Sequence, residues 1–390
     1  MVSFKLNNIN FNNFNINDFA KNNPELSIKN KNIGINDNLY LIKYNKQNTN
    51  NYDNYSNYRS VVINDKKILA FSPPKSIKYE EFIKNNNCSE CFAEDFIDGT
   101  MINLFYINDM WEVSTKSLIG GNISFYINDS NINNVENNTF KSMFLECCKN
   151  ANFNINTLEK TFSYTFVFQH PKNRIVTPIT TTLLFCIKIY SFNNNEISEV
   201  PFDKFYEKYT CFNNTQVYAP MRYPIKSYDD LINYYGSENT PYYYVGIMIY
   251  NKNGDRTKIR NPNYEIIRKL RGNHPKLNYQ YLCLRKENKI KEFLIYYPEH
   301  KAAFNDYKNK LHEFTNNLYS NYKECFIFKI KHLKDYDFQY KIHMYNIHKI
   351  YLESLRNLNK NIDKETIIKY VNNLRPAQQL FAINYNLRNN

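Results

Sequence analysis

The chain has 390 residues, 43% hydrophobic and 22% charged, so it can build a core and wholesale disorder is excluded. Eight Gly and thirteen Pro exclude collagen-like and Gly-rich low-complexity classes. Fifty Lys and Arg against 37 Asp and Glu give a formal charge of +13, with two readings: attraction to nucleic acid, or Lys raised together with Asn, Ile and Tyr by AT-rich codons.

The first 50 residues are Asn-rich with weak periodicity, and the tract from Asn45 to Asn57 reads as a loop. From Arg59 to Ile189 short β-type runs are broken by Asn, Asp and Gly. Residues 60–63 and 68–71 flank the turn Asn64-Asp65-Lys66-Lys67 and predict a hairpin; 102–106 and 111–114 flank Asn108-Asp109 and predict a second. Residues 162–169 and 183–190 read as strands, and 228–235 as a helix. Residues 242–250 and 256–260 read as strands around Asn251-Lys252-Asn253-Gly254-Asp255.

Past Pro262 the texture turns helical, over 264–271, 279–286 and 299–318. In the last of these Phe304, Tyr307, Leu311, Phe314 and Leu318 recur at spacings of three and four, one face of a helix. A looser pattern covers 340–358. Asp363 is placed to cap a further helix with Ile367, Ile368 and Val371 inward. The expected architecture is α+β, an antiparallel-sheet domain over 1–265 followed by an all-helical domain over 266–390.

No run reaches the roughly 18 apolar residues of a membrane helix. Leu183-Leu184-Phe185-Cys186-Ile187 runs straight into Lys188, and the start lacks the apolar core of a signal peptide. The expectation is a cytoplasmic protein (host cytoplasm or virion if viral), not secreted and without a membrane partner. The eight Cys, including Cys88 with Cys91 and the pair Cys147-Cys148, lack a second ligand pair for zinc and read as free thiols. His343 and His348 lie five apart, poor spacing for a shared metal, and His170 before Pro171 reads as structural. No H-x-E, H-E-x-x-H, P-loop or dinucleotide fingerprint occurs, so no metal site is expected.

Four local features carry more information. Phe96-Ile97-Asp98-Gly99-Thr100 leads into a strand, and Ser114-Thr115-Lys116 closes the hairpin after it. Phe166-Val167-Phe168-Gln169-His170-Pro171-Lys172-Asn173-Arg174-Ile175-Val176 follows. Val245-Gly246-Ile247-Met248-Ile249 then precedes Lys258-Ile259-Arg260-Asn261-Pro262-Asn263-Tyr264. In this order, over roughly residues 55 to 265, the chain resembles the covalent nucleotidyltransferase superfamily of ligases and capping enzymes. It is most similar to the phage tRNA-repair RNA ligase family, and also looks like relatives in large AT-rich DNA viruses. The family pattern runs K-x-D-G, a Lys-bearing strand, F-E-F ahead of P-x-N-R-I-V, an E-G strand and K-I-K, with an upstream Arg that Arg59 matches.

The resemblance implies a ligase-type nucleotidyltransferase domain, in whose active members the motif Lys attacks the ATP α-phosphate. Here Phe96 stands at that position, although Asp98 and Gly99 of the motif are kept. A phenyl ring has no lone pair to attack with. The family's two carboxylates, which serve the nucleotide and the metal, map onto Val167 and Val245, and valine offers no oxygen to Mg²⁺. With apolar residues at all three points, the site is expected to be closed and to pack as core. Arg59, Lys116, Lys258 and Arg260 keep the positions that the resemblance assigns to phosphate contacts.

The reading that follows is an RNA-ligase-like protein without adenylate chemistry, retaining a basic groove for RNA (tRNA or another structured RNA) or nucleotide phosphate, and needing no cofactor. Two alternatives stay open. One is an active ligase using ATP and Mg through a displaced Lys such as Lys75 or Lys116, although Lys75, after Pro73-Pro74, reads as a solvated turn. The other is a structural subunit of a viral assembly that holds a protein partner through the helical domain. Glu94 and Asp95 read as a solvated strand edge. Asn173 and Arg174 are either functional or ties at a strand end. Arg256, Lys258, Arg260, Arg268, Lys269 and Arg271, with Tyr264, Tyr279, Tyr281 and Arg285, read as a solvated helix face or as an aromatic–basic surface for single-stranded nucleic acid.

Overall fold

A computed structural model describes residues 2–34, 37–45, 55–123 and 138–386. The fold is α+β, with antiparallel sheets followed by helices. The described residues up to Lys269 form one compact unit and those from Leu270 onward a second.

The first unit holds three sheets. A four-stranded meander joins Leu26–Gly34, Asp37–Tyr44, Val61–Ile63 and Ile68–Phe71. A seven-stranded sheet has the spatial order Ser3–Lys5, Glu196–Glu199, Leu183–Asn193, Ser163–Gln169, Thr100–Ile107, Met110–Ser114, with Val217–Tyr218 parallel to Leu183–Asn193. The third sheet is Arg222–Pro224, Phe92–Asp95, Gly246–Tyr250 and Arg256–Arg260, antiparallel throughout.

Both expected hairpins form, each by local turn chemistry. Asn64 Oδ1 accepts from the amides of Lys66 and Lys67 at 3.0 and 2.9 Å. Asn108 and Asp109 adopt φ of 47° and 57°, the left-handed pair whose twist matches the flanking strands. The Asn-rich start hides two further strands, Leu26–Gly34 and Asp37–Tyr44. In the latter, Tyr40, Ile42 and Tyr44 enter one apolar cluster while Leu39 and Leu41 enter another. A strand buried on both faces shows no alternation, so its pattern is silent. The helix Phe140–Asn150 also went unpredicted. The strand expected over 242–250 begins only at Gly246, because Asn261 Nδ2 donates to the carbonyls of Pro241 and Tyr244 and holds that stretch as a turn. Most of the loop expected from Asn45 to Asn57 lies outside the described residues.

In the second unit the helix Lys301–Tyr322 buries Phe304, Tyr307, Leu311, Phe314 and Leu318, the predicted stripe. Asp363 Oδ1 caps the helix Lys364–Asn373 by accepting from Thr366 N at 2.7 Å. Ile367 and Val371 are buried there, but Ile368 is 40% exposed: one residue on turns the side chain about 100° away from the core. The helix Phe338–Ile350 buries His343, Met344 and Ile347 while Phe338, Ile342 and Tyr345 face outward, so its apolar pattern is loose because both faces carry it. Tyr281 is buried against Phe304 and Tyr307, which corrects its reading as a stacking platform. Among the described residues, no helix is long and apolar enough to cross a membrane.

Candidate anion-binding site

The segment from Phe96 to Gly99 crosses from one sheet to another, between the strands Phe92–Asp95 and Thr100–Ile107. Gly99 is required at the crossing. A Cβ there would lie 2.5 Å from the Phe168 carbonyl oxygen and 2.7 Å from Val167 Cγ1. Asp98 is buried and acts as a clamp: Oδ2 accepts from the amides of Val176 and Thr177 at 3.3 and 3.0 Å, and Oδ1 from the Tyr264 hydroxyl at 2.8 Å. Tyr264 is buried by this bond and is not free to stack on a base, which corrects that part of the expected aromatic–basic surface.

The cations arrive by strand periodicity. Gly246, Met248 and Tyr250 pair with Arg260, Lys258 and Arg256. Period two puts Arg256, Lys258 and Arg260 on one face, while Ile259 turns to the other and joins Phe82, Ala93, Ile247 and Ile249 in a core cluster. Arg59 and Lys116 come from distant segments to the same place. Lys116 sits in the turn just past the strand Met110–Ser114, where Thr115 Oγ1 accepts from Leu118 N at 3.1 Å.

These residues enclose a cavity of about 400 Å³. Arg59, Lys75, Lys116, Arg256, Lys258 and Arg268 line it, together with Arg260 and with Phe96, Asp98, Gly99 and Val245. A second cavity of about 160 Å³ shares Phe96, Gly99 and Arg59 with the first and includes Val167. The expectation of a closed, core-like site is therefore wrong. Phe96 and the two valines form walls without filling the space, and the Phe96 ring lies 5.4 Å from the Arg260 guanidinium carbon. Clustered cations repel one another and resist collapse onto one another.

The charge around the cavity is unbalanced. Arg256 is buried and donates to the Pro74 carbonyl from Nε at 2.8 Å and Nη2 at 2.5 Å, to Pro73 at 3.0 Å, and to the Tyr250 hydroxyl at 3.4 Å. Arg59 Nη1 donates to the Pro73 carbonyl at 3.3 Å, and burial and the neighbouring Arg256 lower its pKa to about 10. No carboxylate among the described residues pairs with either guanidinium within 4.0 Å. Lys258 Nζ donates to Ser76 Oγ at 2.8 Å, and burial, then Arg260, Arg256 and Arg59, push its pKa down to about 8. Arg260 is paired with Glu265, which also holds Arg268 at 3.2 Å.

Three further expectations change. Lys75 is not in a solvated turn: Pro73 and Pro74 are buried as acceptors for Arg256, and Lys75 lines the cavity. Its ammonium and that of Lys116 lie 5.8 and 5.5 Å from the centre of the Tyr44 ring. Glu94 is buried, bound by Arg222 at 2.8 Å and Lys188 at 3.5 Å, because its strand lies inside its sheet and not at an edge. Asp95 accepts from the Tyr223 hydroxyl and the Met221 amide, both at 3.1 Å. Asn173 and Arg174 act as ties: Asn173 Nδ2 donates to Thr100 Oγ1 at 2.7 Å and Arg174 Nε to the Val176 carbonyl at 3.0 Å. Sequence reasoning did not single out Tyr44, and it placed Arg256 only in a basic run. The alternation Arg256-x-Lys258-x-Arg260 was the available signal for the latter.

No protein-family model matches the chain. It is similar to the immediate-early protein ICP-46 homolog of Invertebrate iridescent virus 3, 22% identical over 254 residues that make up 62% of this chain. That alignment covers 52% of the viral protein, so the chain spans about half the length of the curated relative it matches. Among solved structures, similarity extends to a putative ATP-dependent DNA ligase from Aquifex aeolicus, with a TM-score of 0.41, 11% identity, and 94% of this chain and 78% of that one covered. The Naegleria gruberi RNA ligase with PPi aligns at a TM-score of 0.34 and 10% identity, over 51% of this chain and 58% of that one.

Proposed function

We propose that the protein is an RNA-ligase-like protein that binds the phosphates of RNA or of a nucleotide and forms no covalent adenylate. One observation carries this reading: basic side chains from separate segments of the chain, Arg59, Lys75, Lys116 and the alternating Arg256, Lys258 and Arg260, face one cavity whose motif position is Phe96. Phosphate recognition asks only for positioned charge and donors. Adenylation asks in addition for an amine at the α-phosphate, and the phenyl ring supplies none.

Incubation with ATP labelled on the α-phosphate and a divalent metal, followed by denaturing electrophoresis, is expected to leave the protein unlabelled. Binding of single-stranded RNA is expected to weaken with salt at a log–log slope of about −0.7 per phosphate contacted. A labelled band would overturn the non-covalent reading. Lys258 would then be the first residue to map, since burial and the neighbouring Arg260, Arg256 and Arg59 push its pKa down to about 8 and favour the neutral amine.

A further inference from the structure

The resemblance to ligases implies a nucleotide carried with Mg²⁺, and the donors around this cavity do not suit that ion. Mg²⁺ takes hard oxygen ligands, usually one or two carboxylates besides the phosphates. The positions the resemblance assigns to such carboxylates are Val167 and Val245, both apolar walls. The acids that do stand nearby are engaged. Both oxygens of Asp98 accept hydrogen bonds, Glu94 is held by Arg222 and Lys188, Asp95 by Tyr223 and Met221, and Glu265 by Arg260 and Arg268. Among the described residues no group of three His, Cys, Asp or Glu side chains is placed to hold a metal.

From this accounting we infer that the cavity takes its phosphate ligand free of metal, with the guanidinium and ammonium groups doing the neutralising that Mg²⁺ does elsewhere. The inference rests on the phosphate-binding reading above and narrows it to polyphosphate or phosphodiester oxygens without a bridging cation. Three features favour it. Arg256 is buried and Arg59 half-buried, with carbonyl and hydroxyl oxygens as acceptors and no carboxylate partner among the described residues, so a ligand can supply the counter-charge. Arg59 carries five N–H donors and directs one of them, Nη1, to another residue. A divalent cation brought in with the ligand would sit beside Arg260, Arg256 and Arg59, whose charges add to burial in depressing the affinity of Lys258 for its proton.

The test is calorimetric titration of the full chain with ATP at matched ionic strength, once in EDTA and once in excess MgCl₂. Metal-free ATP carries two more negative charges than its Mg²⁺ complex. It is expected to bind about tenfold more tightly, the worth of roughly one charge-assisted contact. Inorganic tripolyphosphate in EDTA is expected to compete with it. Binding that needs Mg²⁺, or strengthens with it, would overturn the metal-free assignment while leaving the phosphate site standing. Absence of binding in both arms, with RNA also unbound, would overturn the phosphate-binding function itself.

Discussion

Lys258→Met is expected to weaken phosphate binding by about tenfold or more while leaving the protein at least as stable as before. The side chain is half-buried, with one hydrogen bond to the protein, to Ser76, and it stands among Arg260, Arg256 and Arg59. Methionine keeps the apolar stem and removes a charge that is poorly solvated and repelled by its neighbours. The sign of the pH dependence follows. In the folded protein the Lys258 pKa is lowered to about 8, so the penalty of holding it charged is fully present below that pH. The penalty fades as pH rises toward the ordinary lysine value, and the fold is stabilised over that window. Anion affinity runs the opposite way, full below about pH 8 and declining above it.

Titrations of the free protein and of Lys258→Met at about pH 7 and about pH 9.5 separate these effects. The decline should be pronounced in the natural chain and much smaller in the variant, where Arg59, lowered to about 10, only begins to lose its charge. Equal affinities for both proteins at both pH values would remove Lys258 from the site. Arg256→Met is the instructive contrast. Three of its four hydrogen bonds hold the Pro73 and Pro74 carbonyls and the fourth reaches the Tyr250 hydroxyl; a buried acceptor left unpaired costs about 1–3 kcal/mol, so that variant loses stability together with binding.

Gly246→Ala is expected to destabilise the fold by about 3 kcal/mol or more. Gly246 has φ of 130°, a region that side chains of L residues avoid, and a Cβ on it would collide with the Ile259 carbonyl oxygen of the paired strand. The obstacle is backbone inside a two-stranded pairing that also positions Lys258 and Arg260, so neither partner can yield without losing register. Denaturant unfolding of the variant, read from the midpoint at unchanged slope, measures the loss. A cost below about 1 kcal/mol would mean that this strand pair adjusts and is not the rigid base of the cation row.

Local chemistry was legible in the sequence because each local choice involves few residues. Asn108-Asp109 turns a hairpin, Asp363 caps a helix, and Phe304 to Leu318 line one helix face, all through neighbours within a turn or two of chain. The alternation from Arg256 to Arg260, which puts three cations on one strand face, was also present in the sequence, although Arg256 was read there only as part of a basic run. The motif order brought Arg59, Phe96, Gly99, Lys116, Val245, Lys258 and Arg260 to attention, and the tertiary structure places them on one cavity.

What the sequence could not decide depended on residues far along the chain. Leu39 to Ile42 lost their alternation because separate apolar clusters cover the two faces of the strand. Glu94 is buried because strands from beyond Arg222 and Gly246 flank it on both sides, and Lys75 faces the cavity because Arg256 captures the two proline carbonyls before it. Whether Phe96, Val167 and Val245 close a site or merely wall it is a question of summed charge. The answer here is an open cationic cavity, since among the described residues Arg59, Arg256 and Lys258 form no ion pair with a carboxylate and cannot pack against one another. Electrostatic balance of that kind is a property of the assembled fold: it adds charges over distances that no spacing along the chain records.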